Sequence, residues 1–123
     1  MSTLEVSNLN DGTTTVATTF VTNGSAKVWA FYNTVTSTNL FDSLNVSSLT
    51  DQATGSTAVA FTSNMGNDDY SVSGVGGHFG SSVGFFSDIN DRTASVYDHS
   101  SRAADGSAID FDRASLTIHG DLA

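Results

Sequence analysis

Apolar and polar residues alternate along most of this chain, in short runs broken by Gly, Asn and Asp. Side chains on an extended strand point to opposite faces in turn, so such alternation predicts half-buried strands and the punctuation predicts the turns between them. The candidate strands are residues 3–7, 14–22, 27–32, 44–49, 57–62, 70–74, 83–87, 93–97, 109–113 and 116–119. Their spacing of roughly 8 to 12 residues is that of a sandwich or barrel. Helical periodicity is nearly absent, and helix is expected in fewer than about a tenth of residues. The fold class is therefore expected to be all-β, an antiparallel β-sandwich, jelly-roll-like or barrel-like, with an extended N-terminal arm.

Three local patterns refine this. In residues 44–62 two alternating runs flank Asp51-Gln52-Ala53-Thr54-Gly55, which reads as a hairpin with a five-residue loop, and the broken alternation at Ser48/Leu49 predicts a bulge or strand end. Residues 27–32 put Trp29 and Phe31 on one face and Val28, Ala30 and Tyr32 on the other. Both faces are apolar, so this strand is expected to be buried on both sides, between layers or against another subunit; a stacking platform for bases or sugars is the competing reading. The Gly-rich stretch 73–84 weakens regular pairing and predicts close backbone approach or a loop.

Residues 2–23 are Thr-rich, weakly apolar and end at Asn23-Gly24-Ser25. The chain is accordingly divided into an arm, 1–25, and a β-domain, 26–123. An arm this polar buries little against its own domain, so Leu4, Val6, Leu9, Val16, Phe20 and Val21 are the candidate interface residues, anchoring the protein to sister subunits or to a larger assembly.

A length of 123 residues fits one domain with a self-standing core. With 0 Cys there is no disulfide framework, thiolate metal site or thiol nucleophile. The formal net charge is -9, and the four basic residues, Lys27, Arg92, Arg102 and Arg113, are scattered singly. Nucleic acid and anionic membrane surfaces are therefore disfavoured as partners. Ser, Thr, Asn and Gly supply 55 of the 123 residues, a neutral polar surface suited to a virion or extracellular setting, while the acidity keeps copies self-repelling. Neither a secretory signal nor an apolar run long enough for a membrane helix is seen.

Candidate chemistry is sparse. Gly80-Ser81-Ser82-Val83-Gly84 has the G-x-S-x-G spacing of a hydrolase nucleophile elbow, but no helix start follows it, so a nucleophilic Ser82 is not expected. His78, His99 and His119 lie too far apart for a local metal motif and are expected to be exposed or hydrogen-bonded. A symmetry axis that gathered copies of one histidine would build a cross-subunit site. Asp110 and Asp112 would share one strand face with Phe111 opposite; Ca²⁺ ligation there competes with solvated or Arg-paired carboxylates, as it does for Asp88/Asp91 and Asp68-Asp69, and the latter reading is preferred. No catalytic residue, metal or cofactor is assigned.

One stretch carries a resemblance. Ala26-Lys27-Val28-Trp29-Ala30-Phe31-Tyr32-Asn33, then Phe41-Asp42-Ser43-Leu44-Asn45-Val46-Ser47-Ser48-Leu49-Thr50-Asp51, Gly55, Val59-Ala60-Phe61-Thr62 and Asp69-Tyr70 is similar to a module of tail-fibre-like virion proteins of marine bacteriophages. That module shows an A-K-A-W start, an S-F-N-V-S-S-I-T-D centre and a V-x-F-T end. The resemblance covers residues 26–72, and residues 2–24 look like the lead-in of small stand-alone members. Two departures stand out. Asn33-Thr34-Val35-Thr36 lacks the glycines of the family's N-G-x-G turn, so that turn must be built differently, and Phe41 replaces a basic residue before Asp42.

The resemblance implies an oligomeric, commonly trimeric, β-structured virion component without enzymatic activity. The 123 residues contain no long shaft, so the expected role is a capsid decoration or head-fibre protein on the virion surface, with the major capsid protein or other virion proteins as partners. The alternative is a short tail-fibre or baseplate subunit that binds a host surface glycan.

Overall fold

The computed structural model describes residues 2–35, 37–79, 82–87 and 92–123. Two short strands and a helix come first: β1 (Asn8–Asn10), β2 (Thr15–Ala17) and α1 (Thr18–Gly24). Eight strands follow: β3 (Val28–Asn33), β4 (Asn39–Leu44), β5 (Val46–Ala53), β6 (Ser56–Phe61), β7 (Ser71–His78), β8 (Ser82–Ser87), β9 (Val96–Ala103) and β10 (Arg113–His119). These eight form one antiparallel sheet in the order β4-β3-β10-β7-β8-β9-β6-β5. The ends of that order, β4 and β5, lie against each other, so the sheet curls into a nearly closed, barrel-like fold. Among the described residues strand makes up 56% and helix 6%, which bears out the all-β expectation.

Asn45 brings the two ends of the sheet together. It alone separates β4 from β5 and adopts φ 59°, a left-handed conformation that Asn tolerates better than most residues. Its side chain fixes the corner in both directions: Nδ2 donates to Ser63 O at 3.0 Å, and Oδ1 accepts from Ser63 N–H at 2.6 Å. Asn45 O also accepts the Thr62 N–H.

Alternation fills the interior. Val28, Ala30 and Tyr32 of β3, Val59 and Phe61 of β6, and Ala114, Leu116 and Ile118 of β10 are all buried. Phe111, which precedes β10, plugs one end. Its backbone is clamped to Thr34, whose N–H donates to Phe111 O at 2.8 Å while Phe111 N–H donates to Thr34 Oγ1 at 3.1 Å. A Cβ at Gly76 would lie 2.1 Å from the Phe111 ring, and one at Gly84 would lie 2.2 Å from it. The Gly-rich segment thus forms regular pairs in β7 and β8, and its glycines provide the close approach predicted from sequence. At the other end Tyr70 packs edge-on to Phe61 and Tyr97, and Arg92 lies over the Tyr70 and Tyr97 rings while its Nη1 donates to Tyr70 O at 2.7 Å.

Several expectations need correction. The β5–β6 hairpin turns through Thr54 and Gly55 alone, because Ala53 pairs with Ser56 and Gly55 takes φ 70°. The predicted bulge is present as a register shift between Val46 and Ser48. Strand β3 is buried on one side only; Trp29 and Phe31 are half-buried on the outer face. Residues 109–112 are not strand. In the arm, residues 3–6 are not strand, and α1 replaces the second half of the strand expected over 14–22.

Candidate functional site

The arm is built from short-range bonds. Asp11 Oδ1 accepts the N–H groups of Thr13 and Thr14, and Gly12 at φ 98° completes the turn between β1 and β2. These bonds hold the Asp11 carboxyl below its usual range. The Thr18 N–H and hydroxyl both donate to Ser7 O, redirecting the chain into α1, and Thr22 Oγ1 bonds back to Thr18 O. Threonine is a poor helix former, and the bonds from Thr18 to Ser7 O, invisible to periodicity, fix where the helix begins. No residue of α1 is buried.

All six candidate interface residues are exposed: Leu4 84%, Val6 44%, Leu9 47%, Val16 38%, Phe20 75% and Val21 47%. Leu9, Val16 and Val21 converge with Asn10, Asp11 and Thr14 on one concave patch of the arm. Lys27 Nζ donates to Thr22 O and Ser25 O, which ties the end of the arm to the start of β3.

A second apolar surface lies on the outside of the barrel. Phe31 and Phe41 stack with centroids 5.0 Å apart, and with Phe79, Asn33, Asp112 and Arg113 they line an open groove of about 590 Å³. Phe41 is 50% exposed and Phe79 85%. Asp112 Oδ2 accepts the Phe79 N–H at 2.8 Å, which ties the end of β7 to the start of β10. Phe41 was not singled out from the sequence because β4 was not predicted, and Phe79 because it lies within the Gly-rich stretch 73–84.

The titratable candidates separate. His99 is wholly buried; its Nε2 and Tyr32 Oη are 2.6 Å apart, whereas its Nδ1 has no partner among the described residues. Burial lowers the His99 pKa to about 4, and burial raises Tyr32, Tyr97 and, to about 12, Tyr70. This pair lies inside a closed core flanked by Phe86 and Tyr97. His78 and His119 end β7 and β10 and are half-buried. Asp110 Oδ1 accepts the Gly55 N–H at 2.7 Å, so Asp110 and Asp112 serve different loops instead of sharing a strand face. Among the described residues, no group of three or more His, Asp or Glu is placed to hold a metal. Asp88 and Asp91, like Gly80 and Ser81 of the G-x-S-x-G stretch, lie outside the described residues, as do the side chains of Ser82 and Val83. Ser82 begins a strand, not the helix turn that a nucleophile elbow requires.

The chain matches no family model, no curated protein and no solved structure.

Proposed function

We propose that this chain is a non-enzymatic structural protein of a bacteriophage particle, displayed on the particle surface as a capsid decoration or head-fibre protein and held there by its N-terminal arm. The observation that carries this reading is the arm itself: six apolar side chains on residues 2–24, all exposed, attached to a barrel whose own core is closed. Apolar groups presented together on a short segment are what a partner surface covers. The polar, acidic exterior and the resemblance over residues 26–72 support the setting. In that stretch the motif residue Asn45 is the corner that joins β4 to β5, and the departing turn is built by Asn33 Oδ1 accepting the Val35 N–H at 2.7 Å, with Thr34 buried.

A second reading, a short tail-fibre or baseplate subunit for a host glycan, draws on the open aromatic groove of Phe31, Phe41 and Phe79. Copy number per particle separates the two: many copies spread over the shell mark decoration, and a few mark the tail. The arm is tested by deleting residues 2–24. The truncated chain is expected to lose attachment to particles that lack the protein; undiminished attachment would refute the anchor.

A further inference from the structure

The ladder between β1 and β2 runs past the ends of its strands. Asn8, Leu9 and Asn10 pair with Ala17, Val16 and Thr15. The next rung on the turn side is made, with Asp11 N–H donating to Thr14 O at 3.3 Å, and so is one on the open side, with Thr18 N–H donating to Ser7 O at 2.9 Å. Thr18 is already the first residue of α1. Continued in the same register, the ladder would set Val6 against Thr19, Glu5 against Phe20, Leu4 against Val21 and Thr3 against Thr22. These residues fall within 3–7 and 14–22, the two stretches whose alternation predicts strands.

Helix α1 is a weak competitor for them. Thr18, Thr19, Phe20, Val21 and Thr22 are all β-branched or aromatic, types that favour strand over helix. The helix has no side-chain N-cap bond, no acidic residue in its first turn, no basic residue in its last and no buried residue. Helices shorter than about 12 residues are marginal in water, and so is a lone two-stranded hairpin. A contact that one form alone can make therefore decides between them.

We propose that residues 18–22 pass from helix to strand, lengthening the hairpin to residues 3–10 against 15–22, and that the lengthened hairpin is the form in which the arm attaches. The exchange regroups the apolar side chains. Val21, which lies with Leu9 and Val16 in the concave patch of the arm, crosses to the face of Leu4 and Val6, directly opposite Leu4. Phe20 takes its place on the face of Leu9 and Val16. Residues 2–6, which belong to no strand, gain backbone partners. The bond that opposes the exchange is the one from Lys27 Nζ to Thr22 O, a carbonyl that accepts the Thr3 N–H in the lengthened ladder.

The proposal rests on the anchoring role of the arm and gives the form in which it anchors. Because the chain has 0 Cys, a thiol pair placed in the full-length protein has no competitor. Leu4→Cys with Val21→Cys occupies directly opposite positions of the lengthened ladder, within disulfide reach, whereas Leu4→Cys with Thr19→Cys lies on a diagonal beyond it. Leu4, Thr19, Val21 and Thr22 are all exposed, so the barrel is untouched by changes there. In a glutathione redox buffer the opposite pair is expected to hold its disulfide about tenfold more strongly than the diagonal pair. On its closure the backbone NMR shifts of residues 18–22 should change from helix to strand. Equal strength in the two pairs, or a closed opposite pair that leaves 18–22 helical, would overturn the proposal.

Attachment to particles that lack the protein is read with the six apolar residues intact. Thr19→Ala with Thr22→Ala favours the helix and is expected to weaken attachment about tenfold, whereas Thr19→Val with Thr22→Val removes the same hydroxyls, keeps the strand preference and should attach as tightly as the parent chain. Equal attachment of these two variants would overturn the coupling of hairpin to attachment. Undiminished attachment on deletion of residues 2–24 would overturn the anchor and with it that coupling, while the disulfide comparison, which needs no particle, still decides whether the hairpin lengthens.

Discussion

The barrel and the arm are made of similar residues and fold by different means. In the barrel, alternating apolar residues meet one another across a closed sheet, and Tyr32, Tyr97, Phe111, Leu116 and Ile118 are almost wholly buried. In the arm, no residue of α1 is buried, and the structure rests on backbone turns and threonine hydroxyls. Burial of apolar area is the main favourable term in folding, whereas exposed hydrogen bonds contribute little net. The stability of this protein is therefore expected to reside in residues 26–123, with little contribution from the arm. Each prediction below tests that division.

The largest effect is expected at the barrel plug. Phe111→Ala removes a fully buried ring that lies on Gly76 and Gly84, and a cost of about 4 kcal/mol is expected in urea unfolding. Gly76→Ala drives a Cβ into the same ring and should cost about 2 kcal/mol alone. In the Phe111→Ala background that second cost should nearly vanish, since the clashing ring is gone. Additive costs would show that the ring does not rest on the glycine.

Acid should act on the barrel next. His99 has a pKa of about 4 in the fold against 6.5 for an ordinary histidine, because burial disfavours its cation. The neutral form is thus the native one. Its stabilising contribution is complete above about pH 6.5 and is lost as pH falls toward 4, by about 3 kcal/mol in all. Urea midpoints measured between pH 7 and pH 4 should decline, and His99→Gln should flatten the His-dependent part of that decline. An equally steep decline in the variant would assign it to other groups. At the alkaline end, the raised pKa values of Tyr32, Tyr70 and Tyr97 mean that the fold favours neutral phenols; stability is expected to hold below about pH 10 and to be lost above it.

A smaller effect is expected at the corner. Asn45→Ala keeps a Cβ at φ 59° and loses both bonds to Ser63, a combined cost of about 2 kcal/mol. Asn45→Gly loses the same bonds but accepts the backbone, so it should cost less. If Gly proves as costly as Ala, the backbone conformation is not what Asn supplies there.

What was legible in the sequence divides along the same line. Residues 27–32 and 57–62 were readable as strands because they are short apolar runs of β-branched, aromatic and small residues between turn residues, and every second position enters the core. Strand β4 escaped notice because its pattern is interrupted: Phe31/Tyr32 opposite it carries a register shift, and Phe41 points outward. The segment 93–97 was only the entry to β9, whose continuation through His99, Ser100 and Ser101 is buried despite being polar. Strand pairing order depends on contacts between distant residues and leaves no local trace. The exposed apolar residues of the arm were legible as side chains without a core to join, whereas Phe79 lies inside the glycine-rich stretch 73–84, whose pattern gives no face.

The smallest effect, and the sharpest division between the two regions, is expected in the arm. Phe20 is 75% exposed on a helix that buries nothing, so Phe20→Ser forfeits no packing within the chain. Exposed substitutions of this kind usually stay within about 0.5 kcal/mol. Under dilute conditions, where copies are apart, the urea midpoint of the barrel should therefore be the same for the parent chain, Phe20→Ser and the chain lacking residues 2–24. Joining of copies through the arm would show as a gain in stability at high concentration in the parent chain alone, because association favours the folded state by mass action. The measurement is the unfolding midpoint against protein concentration for all three. A midpoint lowered by arm deletion at every concentration would show that the arm supports its own barrel, and the division of labour between the two regions would fall.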